Sequence, residues 1–473
     1  MLTYEMGNRG GAPKYLYLYQ CIRDDILAGR IPADERLPSK RAFADHLGVS
    51  VITVENAYRL LVVEGYVRSR EKVGFFVERL EGRLPGGRRP TTSLPPMEEE
   101  HAYFADFSSN KVQTSLFPAS TVARLTREML AVRDERFFST VPYNGTRTLR
   151  HAIAGYLRRY RGMEVDPDQV IVGCGTEYLY GRLMQLFDPG TVLGLEDSGN
   201  HKFADIAARS GLVSDFLPVD EKGVSMDALS RSRASLVHVS PANSFPLGSV
   251  MPIGRRLELL SWLYEGEGRY LVEDDFDSEV NSFGSATTPI FQSDFGRRTV
   301  YLNSFSKTLV PSLRISYMVL PMELLARYRR TQTFFSCTVS GSDQYVLARF
   351  LADGHFERHL SRLNVFFRRE RAQVLSEISE LGLDRMGEVV VPEAGTHVIL
   401  RLGEGDVTRE QMRANARALD IRFAFVGDYA SRPSGRMGRD LVVNYASVPP
   451  ERLHEGLHRL KLCLSRQSAG VLP

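Results

Sequence analysis

Four short runs of almost wholly apolar residues limit how this chain can fold: Val170-Ile171-Val172, Val192-Leu193-Gly194-Leu195, Leu236-Val237-His238-Val239 and Tyr270-Leu271-Val272. They show no apolar/polar alternation, and helical segments separate them. Strands of this kind are covered on both faces, and the intervening helices supply the cover. The pattern predicts an α/β body with a mostly parallel sheet from about residue 105 onward. Ligands of such sheets bind beyond the carboxyl ends of the strands, so the residues that follow each run are where chemistry is expected.

Beyond the last of these runs lies Asn303-Ser304-Phe305-Ser306-Lys307-Thr308-Leu309-Val310-Pro311-Ser312-Leu313-Arg314-Ile315-Ser316-Tyr317. It sets one lysine between hydroxyls, with an arginine seven residues on and apolar residues around them. Desolvation lowers the pKa of a lysine, and a neutral amine can form a Schiff base. The serines and the arginine suit a phosphate. Together they describe a seat for pyridoxal 5'-phosphate, with Lys307 bonded to C4′ and Ser304, Ser306 and Arg314 on the phosphate. The competing reading is a loop lysine that only caps a surface.

Three strand ends bear on that choice. Cys174-Gly175-Thr176-Glu177 precedes a helical run from Tyr178 to Leu186, and Gly-Thr at a helix start offers N–H groups and a hydroxyl to a phosphate, unless it is a plain turn. Glu273-Asp274-Asp275-Phe276-Asp277 closes the Tyr270 run. So dense an acidic stretch is a solvated loop, a metal site, or a buried carboxylate that keeps a pyridine nitrogen protonated. Ser240-Pro241-Ala242-Asn243-Ser244-Phe245-Pro246-Leu247-Gly248 is placed to present Asn243 or Ser244 to the cofactor's phenolic oxygen.

The first 80 residues have a different pattern. Leu16, Tyr19, Ile22, Ile26 and Leu27 share one helical face, with Gly29 as a cap. Ser39 is an N-cap for a second helix that Gly48 ends, and Val51 to Glu64 reads as a third, with Val54, Ala57, Leu60 and Leu61 facing inward. Helix, tight turn, helix is the helix-turn-helix plan. Tyr66 to Val77 then alternates like a two-stranded wing with a basic turn. In such a module the third helix enters the major groove, which makes Ser50, Thr53 and Tyr58 candidates for base or phosphate contact. Ser39, Lys40 and Arg41 stand where a helix N-terminus meets phosphate, and Arg68, Arg70 and Lys72 on the wing are placed to reach the backbone or minor groove.

A chain of 473 residues exceeds what one core organises, and 43% hydrophobic with 25% charged residues is an ordinary globular composition. No apolar run is long enough to span a bilayer and residues 1–11 lack the apolar core of a secretory signal, so a cytoplasmic protein with no membrane partner is expected. Cys21, Cys174, Cys337 and Cys463 are too scattered for a zinc site or a redox pair. The net charge of +3 is small, but residues 1–90 carry 15 Lys and Arg against 11 Asp and Glu, a basic module on a neutral body. Between the two, Arg83 to Pro96 holds two glycines and four prolines, an extended linker of roughly 3 Å per residue that can carry the head onto another subunit. The expected division is a winged helix at 12–80, a linker at 81–104 and a body at 105–473, split into a large part at about 140–335 and a small part at about 336–473.

Leu37-Pro38-Ser39-Lys40-Arg41, Leu47-Gly48-Val49-Ser50, Thr53-Val54, Tyr58, Glu64-Gly65-Tyr66 and Gly74-Phe75-Phe76-Val77 together resemble the GntR type of winged helix. The order of phosphate turn, Ser240 loop, acidic strand end and Lys307 stretch resembles the fold-type I aminotransferases. The joined pattern is similar to the MocR family of bacterial transcription regulators, with GabR-like and PdxR-like members. It extends from Tyr15 to about Leu462 and includes Tyr143-Asn144-Gly145, Leu149-Arg150, Gly354 to His359 and Gly395-Thr396-His397. The resemblance implies a head-to-tail, domain-swapped homodimer on paired half-sites of double-stranded DNA, with pyridoxal 5'-phosphate in each body. It makes Lys307 the Schiff-base lysine, Asp274 the pyridine-nitrogen partner, and Cys174, Gly175, Thr176, Ser304, Ser306 and Arg314 the phosphate shell.

The sequence departs from that pattern in the part of the site that would handle a substrate. Phe276 stands where relatives carry a tyrosine that bonds the cofactor's O3′, Asn200 where a tyrosine follows Asp-Pro-Gly, and Val442 where an arginine holds an amino-acid carboxylate, with Arg439 a nearby substitute. At the start of the third helix Val51 replaces a common arginine. The expectation is a regulator that senses pyridoxal phosphate, alone or with an amine or amino-acid effector. The alternatives are a working aminotransferase with a DNA-binding head, and a cofactor-free body that only dimerises the head.

Overall fold

A computed structural model of the chain describes residues 2–7, 10–80, 101–108, 114–197, 199, 201–280, 287–392, 395–403, 407–431 and 438–465. It divides into two compact units, residues 1–100 and 101–473. Most of the expected linker, residues 81–100, and Asn200 lie outside the described residues.

In the head, α1 (Lys14–Leu27), α2 (Lys40–Leu47) and α3 (Val51–Val63) are followed by the hairpin of β1 (Val67–Arg70) and β2 (Gly74–Val77). Ser39 caps α2 by accepting from the Ala42 N–H at 3.2 Å, and Ser50 caps α3 by accepting from the Thr53 N–H at 3.2 Å. Gly48 ends α2 with φ 63°, a conformation that costs a residue with a Cβ and comes freely to glycine. Leu18, Tyr19, Ile22 and Ile26 form the buried face of α1, while Leu16 is half-buried and Leu27 is exposed. On α3 the buried residues are Val54, Ala57, Tyr58 and Leu61, and Leu60 is half-buried.

The body is built on seven strands: β3 (Val170–Gly173), β4 (Val192–Glu196), β5 (Val213–Leu217), β6 (Leu236–Val239), β7 (Tyr270–Asp274), β8 (Thr299–Ser304) and β9 (Ser316–Val319). Their spatial order is β3-β9-β8-β7-β6-β4-β5, and β9 runs antiparallel to both neighbours while the others share one direction. All four apolar runs of the sequence are strands of this sheet. Successive residues serve opposite faces: Val272, Val300 and Leu302 join one buried cluster, and Leu271 and Tyr301 join clusters on the other side. Burial on both faces is why these strands show no polar alternation.

A second sheet of β10 (Gly387–Val390), β11 (His397–Leu402), β12 (Ala424–Phe425) and β13 (Leu441–Asn444), in the order β10-β11-β13-β12, is antiparallel throughout. The helix Gly341–Ala352 packs into the large core through Val346, Leu347 and Phe350, and the small core starts at Val374 within the helix His355–Glu380. That small core also takes Ala105 and Phe107, because Ala105–Asp106 pairs with Ile421–Arg422. No helix among the described residues is long and apolar enough to cross a membrane.

Leu271 is fully buried in the central strand β7. Leu271→Ala is expected to lower the stability of the full chain by about 2–5 kcal/mol, read from urea denaturation.

Candidate functional site

The carboxyl ends of β3, β4, β6, β7 and β8 open onto one cleft of about 670 Å³. Its walls include Gly175, Thr176, Glu177, Glu196, His238, Asp274, Phe276, Ser304, Ser306, Lys307 and Arg314. The structure thus brings seven of the predicted cofactor residues together from four separate strand ends. Thr176 starts the helix Thr176–Met184, so its first N–H groups point out of a helix start. Gly175 has φ 105°, a conformation that strains any residue with a Cβ, and a Cβ there would also displace the end of the Arg314 side chain. Arg314 lies 3.3 Å from Glu177 Oε2, and the Ser304 hydroxyl accepts from the Ser316 hydroxyl at 2.8 Å and from the Ser306 N–H at 3.2 Å.

Lys307 lies with its Nζ 5.5 Å from the centre of the Phe276 ring and 4.0 Å from Asp277 Oδ2. Burial pulls its pKa down, and the Asp277 charge pushes it back up. Asp277 is itself driven up to about 6 by burial, against the opposing pull of Lys307 and of the Asn243 amide. Asp274 Oδ2 is 3.6 Å from His238 Nε2, and Asp274 Oδ1 is buried without a hydrogen-bond partner. The His238 ring is held edge-on between Tyr180 and Phe203, at centroid distances of 5.5 and 4.7 Å.

Two of the predicted residues are placed differently. Asn243 does not line the cleft, because its amide donates to Asp277 Oδ2 at 2.7 Å and the loop closes through the Ser244 N–H to Ser249 O, which leaves the Phe245 ring as the lining group. The N–H of Cys174 is not available to a phosphate, since it donates to Thr338 Oγ1 at 3.1 Å. Val442 is fully buried beside Ile399 and Val426, and Arg439 is not among the described residues that line the cleft. His238, Glu196, Asp277 and Tyr429 were missed as site residues. A histidine inside the apolar run Leu236 to Val239 was the legible signal for the first. Nothing local marks Tyr429, which reaches the cleft from a 3-10 turn between β12 and β13.

The acidic run is buried rather than solvated: Glu273, Asp274, Asp275, Asp277 and Glu279 are all less than a tenth exposed. Glu273 accepts from the Ile290 and Phe291 N–H groups at 2.9 Å each, and Asp275 pairs with Arg161 and accepts from Tyr301 at 2.6 Å. Glu279 accepts from Asn303 at 2.9 Å.

In the head, Lys40 pairs with Glu55 at 2.6 Å and the Ser50 and Thr53 hydroxyls bond each other at 2.9 Å. Ser39 and Arg41 are exposed. Tyr58 is a correction: it is fully buried, donates to Pro38 O at 2.9 Å and packs on Phe43 and Phe75, so it is core and cannot reach DNA. Arg68 is tied to both Asp34 and Glu78, which leaves Arg70 and Lys72 as the exposed cations of the wing.

Burial, with the Asp275 charge second, pushes Glu273 and Glu279 up to about 7. Between the ordinary carboxylate range and that value the folded chain keeps protons the unfolded chain has lost. The resulting stability is present in acid and fades as pH rises through about 7. Glu279→Gln removes one such group, so the fall in urea midpoint from about pH 5 to about pH 8 is expected to be smaller than in the parent chain.

Two family models match the chain, bacterial regulatory proteins of the gntR family over residues 14–77 and aminotransferase class I and II over residues 104–460. The HTH-type transcriptional regulator YhdI of Bacillus subtilis strain 168 is 33% identical, with 97% of each chain covered. The probable rhizopine catabolism regulatory protein MocR of Rhizobium meliloti is 31% identical over 98% of this chain and 96% of that protein. Among solved structures, the multiple substrate aminotransferase from Thermococcus profundus superposes with a TM-score of 0.68 at 22% identity, covering 77% of this chain and 92% of that one, a likeness of fold. A gntR-type winged helix joined to a fold-type I aminotransferase body, with relatives aligned along nearly its whole length, means that the chain belongs to the MocR-type transcriptional regulators.

Proposed function

We propose that this regulator binds pyridoxal 5'-phosphate in the cleft of its body, and that the cofactor, alone or with an amine effector, governs how the head engages DNA. The observation that carries the reading is the half-buried amine of Lys307, which shares one cleft with the unpartnered carboxylate oxygen of Asp274. The residues present fit the group. Asp274 is placed to hold a proton on a ring nitrogen, backed by His238. The Gly175-Thr176 helix start, Ser304, Ser306 and Arg314 offer donors for a phosphate. When bound, the cofactor would supply an aldehyde for the lysine amine and an electron-withdrawing ring.

The lining favours sensing over turnover. Phe276 offers a ring and no hydroxyl, and among the described residues that line the cleft Arg314 is the one arginine, already beside Glu177. Among those described residues no second guanidinium stands to anchor a substrate carboxylate. A ligand that prefers one arrangement of the body shifts the population toward it by its difference in affinity. In a head-to-tail homodimer that shift changes the spacing of two heads on paired half-sites. Leu130, Val132, Phe138, Phe334 and Phe335, all exposed on the body, support burial against a second copy.

The experiment is footprinting of the purified chain upstream of its own gene, with and without pyridoxal phosphate and with candidate amines. Supplemented protein is expected to show a visible absorption band that borohydride removes, and Lys307→Ala to lack the band and to footprint alike with and without the cofactor. A colourless parent chain defeats the reading. Arg41→Ala is expected to weaken operator binding across sequences and to reduce the salt slope by about 1, as for loss of one phosphate contact.

A further inference from the structure

We infer that Asp277 is the positioning residue for Lys307: its carboxylate holds the lysine's ammonium against the cleft wall and accepts the proton that the amine must release before it reacts. The inference deepens the cofactor reading, since this amine is the one assigned to the cofactor, but the pair belongs to the chain itself.

The three aspartates of the run have separate partners. Asp274 faces His238, and Asp275 is taken by Arg161 and Tyr301. Asp277 alone of the three lies against Lys307, at 4.0 Å between Oδ2 and Nζ. The same oxygen accepts from Asn243 at 2.7 Å, which fixes the carboxylate in orientation. Asp277 is 4% exposed, so it has no bulk water to satisfy it and a nearby cation is its natural counter-charge.

A pocket of about 10 Å³ lies between them, lined by Asp277, Lys307, Val280, Phe367, Thr396 and Ala446. Among the described residues, the other titratable groups acting on the pair are Asp274 and Asp275 at the end of β7 and His397 on β11. The His397 Nε2–H donates to Pro246 O at 2.7 Å, and burial pushes the ring's pKa down to about 4, so it stays neutral and adds no competing cation near pH 7. The consequence is that Asp277 sets the pH above which Lys307 becomes a free nucleophile.

Competitive labelling of the full chain with trace acetic anhydride, read by mass spectrometry across pH and without pyridoxal phosphate, measures the midpoint of Lys307 directly. The exposed Lys72 and Lys222 are internal standards. Asp277→Asn is expected to move the Lys307 midpoint down by about 1–3 units and to leave the standards in place, the effect of losing an opposite charge at this range. Asp277→Glu is expected to restore part of the shift. An unmoved or raised midpoint overturns the inference, because a merely structural aspartate would alter stability and not the lysine's titration.

Should Asp277→Asn fail to fold, thermal melting of Lys307→Met and of the double variant takes its place. Removing the cation leaves Asp277 harder to ionise, so Lys307→Met is expected to lose more stability than the parent from about pH 5 to about pH 8, and the double variant to lose less than Lys307→Met. Equal losses in all three chains also overturn it. A colourless parent chain with a shifted Lys307 midpoint would sink the cofactor reading and leave the pair standing.

Discussion

Five carboxyl groups within residues 273–279 are buried at the end of one strand, and the body depends on giving each its own partner, although Asp274 Oδ1, Asp275 Oδ1 and Glu279 Oε2 have no hydrogen bond. An ionised carboxylate costs several kcal/mol to bury even after relaxation, and the cost is offset only by good hydrogen bonds or a close cation. Glu273 takes two backbone N–H groups, Asp274 faces His238, Asp275 has Arg161 and Tyr301, Asp277 has Asn243 and Lys307, and Glu279 has Asn303. These partners come from β6, β8, the Ser240 loop, the Arg161 turn and the segment at Ile290. The charge requirement therefore ties together the same elements that surround the cleft.

A site assembled in this way is rigid where it must be and exposed where it must react. Strand ends hold Asp274, Ser304 and His238 in fixed relation, because each strand is locked by its neighbours in the sheet and packed on both faces. The smaller part of the body contributes Tyr429 to the lining and His397 behind it, so a ligand in the cleft touches groups carried by both parts. Any ligand whose contacts differ between two arrangements of those parts biases one of them. That is the physical basis on which an aminotransferase-like body can serve a regulator without completing a reaction.

The head relies on a different economy. Its buried residues are apolar or, like Tyr58, satisfied within the module, and exposed cations stand at the start of α2 and on the wing among other places. Several basic residues that look equivalent in sequence are not equivalent in space. Arg68 is held by two carboxylates and Lys40 by one, whereas Arg41, Arg70 and Lys72 face solvent.

By itself the sequence determined the strands and the order of the elements, because continuous apolar runs and helix caps are local signals: all four runs are strands of the main sheet, and Ser39 and Gly48 cap α2 as the sequence predicts. It also singled out Lys307, Gly175, Thr176, Ser304, Ser306 and Arg314, which line one cleft, since glycine, serine and lysine at strand ends are legible without neighbours, whereas Asp274 was picked from its acidic run only by the family resemblance. What only the tertiary structure decided was who meets whom. Tyr58 is core because α3 turns it toward Phe43 and Phe75, Asn243 is spent on Asp277, and an acidic stretch that reads as a solvated loop is buried because its partners arrive from β6, β8 and Arg161. Those contacts join residues far apart in the chain, and no local pattern encodes which of several like-charged side chains will meet Arg161 and which will meet Lys307.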